Sequence, residues 1–227
     1  MSNFIVYNQS GNIVVDDTQK HIGQVAEYYI ASIPPISGNN RLTVSLMSSG
    51  PSWFPGSQTS VLRLNPIEGA IPITLIKPNN GGFGAGRETF NAGAGTLYHL
   101  RNDYDVQSGF LDVFNEQGTL IWSAQSASRV PRVTQTHYFT YAQLFAGVEV
   151  NIGDDLFMLN NFIGKLDINP GPSGTSARCY GIYWGYSNGI LRLQFNHNSK
   201  SSQPIGVVTL LKDYGWVLYR YRFAEQV

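Results

Sequence analysis

Charge is scarce in this chain and neither sign prevails: 15 lysines and arginines balance 15 aspartates and glutamates in 227 residues. A neutral chain without Lys/Arg clusters lacks the cations that drive phosphate binding, so nucleic acid is not an expected partner. Its nearest approach to a cluster is Arg220 and Arg222 on one predicted strand. Cysteine is nearly absent too. Cys179 stands alone, which rules out an internal disulfide and a zinc-cysteine site. No apolar run reaches the length of a membrane span, so no membrane insertion is expected. The segment Met1-Ser2-Asn3-Phe4-Ile5-Val6 has neither the basic start nor the apolar run of a signal peptide, which points to synthesis in a cytoplasm.

The signatures of catalysis are also missing. There is no G-x-S-x-G nucleophile elbow. The four histidines, His21, His99, His137 and His197, are dispersed and form no metal-binding pair. His99 alternates with Leu97, as a hydrogen-bonded, buried histidine would. The acidic pairs Asp16-Asp17, Asp103/Asp105 and Asp154-Asp155 fall near turns and form no D-x-D-x-D-G calcium loop, so turn chemistry explains them. Neither G-x-G-x-x-G nor Gly-Lys-Ser/Thr occurs in the glycine-rich stretch Asn79–Arg87, so it is not a phosphate cradle. The expectation is a protein that is not an enzyme, with no cofactor and no metal.

What the chain does have is a repeat. Phe4-Ile5-Val6-Tyr7-Asn8-Gln9-Ser10-Gly11 returns as Leu111-Asp112-Val113-Phe114-Asn115-Glu116-Gln117-Gly118, at a constant offset (113 − 6 = 107). Alternating apolar residues lead into the turn. Asn8 and Asn115 can bond the backbone two residues on. Gly11 and Gly118 supply the left-handed residue of a hairpin loop. Abundant aromatic and β-branched residues and many turn signals give an all-β fold: two tandem, related β-sandwich-like units, 1–105 and 106–227, with long loops and almost no helix.

Further strands are expected along the chain. Ile71, Ile73 and Leu75 alternate around Pro72, which suggests an edge strand. Ser187-Asn188-Gly189 joins two strands, with Leu191, Leu193 and Phe195 facing in. Gly206–Leu211 reads as a strand followed by a turn at Asp213-Tyr214-Gly215. One short helical turn is expected between Thr140 and Gly147. The stretch Asn79–Gly95 reads as a loop that orders against a neighbouring subunit through Phe83, Arg87 and Phe90. Trp53 and Phe54 in a Pro/Gly loop, with Trp184 and Tyr186 on a strand, are candidate contacts for a glycan or receptor; for the strand residues a sandwich core is the competing reading.

The two copies of the turn motif resemble segments of the minor tail proteins of long-tailed bacteriophages. There a glycine leads into a V-F-N-x-x-G-x-L-x-x-S hairpin, as Gly109 leads into Val113-Phe114-Asn115, Gly118, Leu120 and Ser123 here. The resemblance covers about a fifth of the chain and carries no catalytic residue with it. It implies a virion structural protein of the tail, tail tip or baseplate, present in symmetric homo-oligomeric copies among other tail proteins. The alternative is a carbohydrate- or host-receptor-binding β-sandwich module on the same particle, with a host surface glycan as its partner.

Overall fold

The computed structural model describes residues 5–7, 13–16, 22–30, 41–46, 51, 53, 60–64, 73–86, 89–171, 174–196 and 205–224. The fold is all-β. Nine strands belong to the first half: β1 (Ile5–Tyr7), β2 (Ile13–Asp16), β3 (Gly23–Tyr29), β4 (Arg41–Leu46), β5 (Ser60–Leu64), β6 (Ile73–Pro78), β7 (Phe83–Ala85), β8 (Thr89–Asn91) and β9 (Gly95–Arg101). Nine more follow: β10 (Asp112–Phe114), β11 (Leu120–Ser123), β12 (Pro131–Phe139), β13 (Val148–Asn151), β14 (Leu156–Met158), β15 (Gly164–Gly171), β16 (Gly174–Ser187), β17 (Ile190–Asn196) and β18 (Trp216–Phe223). Two helices, α1 (Tyr141–Ala146) and α2 (Ile205–Tyr214), and a 3-10 turn at Ala124–Arg129 complete the described elements.

The repeated motif folds as the same hairpin twice. Ile5 pairs with Asp16, Val6 with Val15 and Tyr7 with Ile13; Asp112 pairs with Ser123, Val113 with Trp122 and Phe114 with Leu120. Each pair in the second set lies 107 residues beyond its counterpart (112 − 5 = 107), and the register slips at the same point in both. In the second copy the Asn115 side chain accepts from the backbone N–H of Gln117 (3.1 Å) and Thr119 (2.8 Å). Gly118 has φ +73° with open space around it. Gly118→Val should therefore cost about 1–3 kcal/mol through backbone strain alone. A wild-type urea midpoint for that variant would show that the turn does not need glycine. Asn8 and Gly11 lie outside the described residues.

The correspondence extends through the sheets. One six-stranded sheet runs β12-β18-β14-β6-β9-β3. Its halves, β3-β9-β6 and β12-β18-β14, have the same antiparallel order, and the β3–β9 and β12–β18 pairings each slip once, at Gln24/Ala26 and Val133/Gln135. In the second sheet β5-β8-β7 matches β13-β17-β16. Within this scheme the halves meet edge to edge where β6 pairs with β14 and β7 with β16. β4 and β15 lie outside this scheme: β4 pairs with β5 and, in parallel, with β16, and β15 pairs with β16. The boundary near residue 105 thus separates two copies of a pattern and not two cores. Ile76, Phe90 and Leu97 share one buried cluster with Phe157, Trp184 and Leu218.

Several local expectations are met. Thr140 and Gln143 form a reciprocal capping box at the start of α1, and Gly147 stops it at φ +95°. Asn188 (φ +50°) and Gly189 (φ +82°) turn β16 into β17, with Leu191, Leu193 and Phe195 buried. Three others are corrected. Gly206–Leu211 belongs to α2 and not to a strand. Val208 and Leu211, three residues apart, share its core-facing side, and Gly215 in the left-handed region ends it by donating to Leu211 O (3.0 Å). β6 is interior and not an edge, since it pairs with both β9 and β14; Pro72 lies outside the described residues.

The third correction concerns Asn79–Gly95, which is not a free loop. β7 and β8 form its middle, and backbone bonds tie Gly81 and Gly82 to Tyr186 and Gly86 to Ile182. Glycine serves close packing here: a Cβ on Gly82 would stand 2.3 Å from Ala94 O. Deleting Gly81–Gly86 removes a seam strand, and loss of the folded state is the expected result in circular dichroism.

Candidate interaction surface

The β10–β11 hairpin carries its own small apolar cluster, Val113 and Ile121 with Trp122 against them. Strand alternation then turns Phe114 outward. Just before the hairpin the backbone makes a γ-turn: Leu111 N–H donates to Gly109 O (2.7 Å), and Phe110 between them has φ +56°. This conformation is rare and costly for a residue with a Cβ. It is held from both sides. Asp112 accepts from the Gly109 N–H (3.0 Å) and the Ser108 hydroxyl, and the buried Ser123 hydroxyl donates to Gly109 O (3.1 Å). The Gly109 amide and the Ser108 and Ser123 hydroxyls hold the Asp112 carboxyl below the usual carboxylate range.

The turn projects Phe110 almost completely into solvent, at 99% exposure, beside the exposed Leu111 and Phe114. Residues 102–128 around it contain Asp103, Asp105, Asp112 and Glu116 and no lysine or arginine. Within the chain the Phe110 ring contributes no buried area while its backbone is strained. Phe110→Gly is therefore expected to leave the melting temperature unchanged or to raise it. A clear drop would mean that the ring supports the fold.

The end strand β12 is exposed along Arg132–Thr136, and Val133 and Tyr138 remain solvent-accessible. Its neighbour β18 brings Arg220 and Arg222 to a single buried carboxylate. Asp155 Oδ2 accepts from Arg220 (2.8 Å) and from the Thr134 hydroxyl (2.8 Å), and Oδ1 accepts from Arg222 Nε (2.9 Å). Burial alone would push the Asp155 carboxyl up. The Thr134 and Arg222 hydrogen bonds and the two guanidinium charges outweigh it and hold the carboxyl down. His137, beside Arg220, is lowered by burial and then by that positive charge. Asp155 was expected to be a turn residue; it is the centre of an ion network.

The other sequence-predicted contacts separate on inspection of their burial. Phe83 and Phe90 are buried within the chain and are not subunit contacts, because β7 and β8 lie inside the second sheet. Trp184 is fully buried between Phe90 and Phe157, with ring centroids at 6.2 and 5.3 Å, so it offers no sugar platform. Tyr186 packs against the core and donates to Gly153 O (2.7 Å). Trp53 covers Gly185 on β16, where a Cβ would stand 2.9 Å from its ring, and donates to Gln194 Oε1 (3.0 Å). Phe54 and Arg87 lie outside the described residues. His99 is half-buried and hydrogen-bonded to the Thr74 hydroxyl at 3.1 Å, and burial lowers its pKa. Among the described residues no group of His, Cys, Asp and Glu is arranged to hold a metal, and no helix is long and apolar enough to cross a membrane.

The duplicated hairpins and duplicated sheet pattern run almost the full length of the chain, and so does its family match. A domain of unknown function, DUF8377, matches residues 1–223. The chain belongs to the DUF8377 family. No curated protein and no solved structure matches it. Any functional reading of this DUF8377 domain must therefore come from its surface. Sequence reasoning had marked the Asn115–Gly118 turn but not the Phe110 tip beside it, because nothing in the residues announces a left-handed phenylalanine.

Proposed function

We propose that this chain is a non-enzymatic structural protein of a bacteriophage tail, acting in assembly at the tail tip or baseplate. The observation that carries the reading is the Phe110 tip, an exposed aromatic residue on a clamped turn that serves no purpose inside the chain. Such a group gains free energy when a partner covers it. The hairpin that bears it is also the segment that resembles phage minor tail proteins. The partners in this reading are other tail proteins and symmetric copies of the chain itself, and the location is the virion.

Mass spectrometry of purified particles tests the reading: the protein should be present in fixed stoichiometry with the tail proteins. Its absence from intact particles would sink the proposal. The alternative, a glycan- or receptor-binding module, draws on a different observation. Tyr98, Tyr219, Tyr221 and Phe223 are only half-buried on the first sheet, with Tyr98 and Phe223 in ring contact at 5.2 Å. Saturable binding on a glycan array, lost on Tyr219→Ala, would favour that module.

A further inference from the structure

The duplicated pattern lets each half serve as a control for the other. The register slips of β3–β9 and β12–β18 align the pair Gly23/Arg101 with the pair Arg132/Arg222, and Ala26/His99 with Gln135/Arg220. In the first half this place on the sheet is closed. The Tyr104 ring lies on Gly23, where a Cβ would stand 2.7 Å from it, and Arg101 pairs with Asp103. The shared strand pattern therefore forms without arginine at the positions of Arg132 and Arg220.

In the second half the same place carries three arginines. Residues directly opposite on antiparallel strands share a face, so Arg132 and Arg222 leave the sheet on one side, with Cβ atoms about 4.5–5.5 Å apart. Arg220 and Thr134 lie on that side too, because both bond Asp155, as Arg222 does. The buried Asp155 carboxylate is already divided between Arg220 and Arg222. Asp154 beside it is exposed and pairs with none of the three. Three guanidinium groups around one carboxylate leave two positive charges in excess (3 − 1 = 2). Arg132 is exposed and has no ion pair among the described residues, and the Arg222 side chain is 59% exposed.

Like charges directly opposite one another destabilise a strand pair. An anion shared by the two arginines removes that penalty. Asp155 holds Arg222 through Nε and Nη2, which fixes the guanidinium and leaves Nη1 to donate elsewhere. Arg132 has its full fork of donors available, a geometry that matches carboxylate and phosphate oxygens.

We infer that Arg132 and Arg222 form a binding site for an oxyanion, a phosphate or carboxylate group held between the two guanidinium forks. Oxyanion binding does not depend on the particle to which the chain belongs, so it stands or falls apart from the tail-protein proposal.

Isothermal titration calorimetry on the full chain tests this, with inorganic phosphate and acetate as separate probes at constant ionic strength. Wild-type protein should bind at least one of them saturably, and its melting temperature should rise with that ion's concentration. Which ion binds tells phosphate from carboxylate recognition. Arg132→Gln should weaken binding at least about tenfold, and Arg132→Lys less, because lysine keeps the charge and loses the fork. Arg101→Gln, at the matching place in the first half, should bind as wild type does.

The absence of saturable binding by both ions overturns the inference, as does binding that Arg132→Gln leaves unchanged. Equal weakening by Arg101→Gln and Arg132→Gln overturns it too, since general positive charge would then suffice. Without added ion, Arg132→Gln should melt at or above the wild-type temperature. A clear drop would mean that Arg132 already has a counter-charge within the folded chain, and the site would not exist.

Discussion

Asp155→Ala is expected to destabilise the fold by about 3–5 kcal/mol, because it strands a buried charge. The Asp155 side chain is 2% exposed and that of its partner Arg220 is 12% exposed. Arg220 also donates to Ile152 O (3.1 Å) and Gln135 Oε1 (2.7 Å), so its guanidinium is fixed in place and cannot swing out to water. Removing the carboxylate leaves that cation without its counter-charge and the Thr134 hydroxyl without its acceptor. Urea denaturation measures the loss. A cost below about 1 kcal/mol would place the network among surface ion pairs, where such values are usual.

The same carboxylate sets an acid limit. Its folded pKa is lowered, so its contribution to stability is complete above the ordinary carboxylate range and fades as pH falls through the lowered value. Wild-type protein should lose stability on acidification more steeply than Asp155→Asn. Parallel pH profiles for the two would contradict that assignment.

Trp184→Ala should cost about 3–5 kcal/mol, the range for truncating a large buried aromatic residue. Trp184 lies on β16 opposite Gly84 of β7, so it stands on a seam between the halves. Its ring meets Phe90 from the first half and Phe157 from the second. Its indole N–H has no hydrogen-bond partner among the described residues. Trp184→Phe removes that unpaired donor while keeping most of the ring, and should cost clearly less than alanine. Equal losses for the two substitutions, measured by chemical denaturation, would show that ring packing is not what Trp184 supplies.

How far the sequence reached differs from element to element. Asn115 and Gly118 were legible because a tight turn needs those residue types, whatever the surroundings. Leu191, Leu193 and Phe195 were legible because alternation survives in a strand with one face buried. Gly206–Leu211 misled because a short stretch with four apolar residues, Val207, Val208, Leu210 and Leu211, suits either a strand or one side of a helix, and packing decided for the helix. Asn79–Gly95 misled because glycine was taken for freedom, whereas here it lets backbones approach. Asp155 could not be read as an ion centre, since Thr134, Arg220 and Arg222 come from distant parts of the chain.

The paired seams also govern the order in which the fold can form. Within each half the pairings range from short, as between Gly84 and Phe90, to as long as the seams, as between Pro131 and Phe223. Across the seams Ile76 must find Phe157, and Phe83 must find Gly185. Loop closure over such separations is entropically costly and slow. The hairpins of each half can therefore gather locally, while the long-range pairings, the seams among them, are expected to close later. A chain still emerging from the ribosome holds β6 and β7 with open edges until β14 and β16 arrive to cover them.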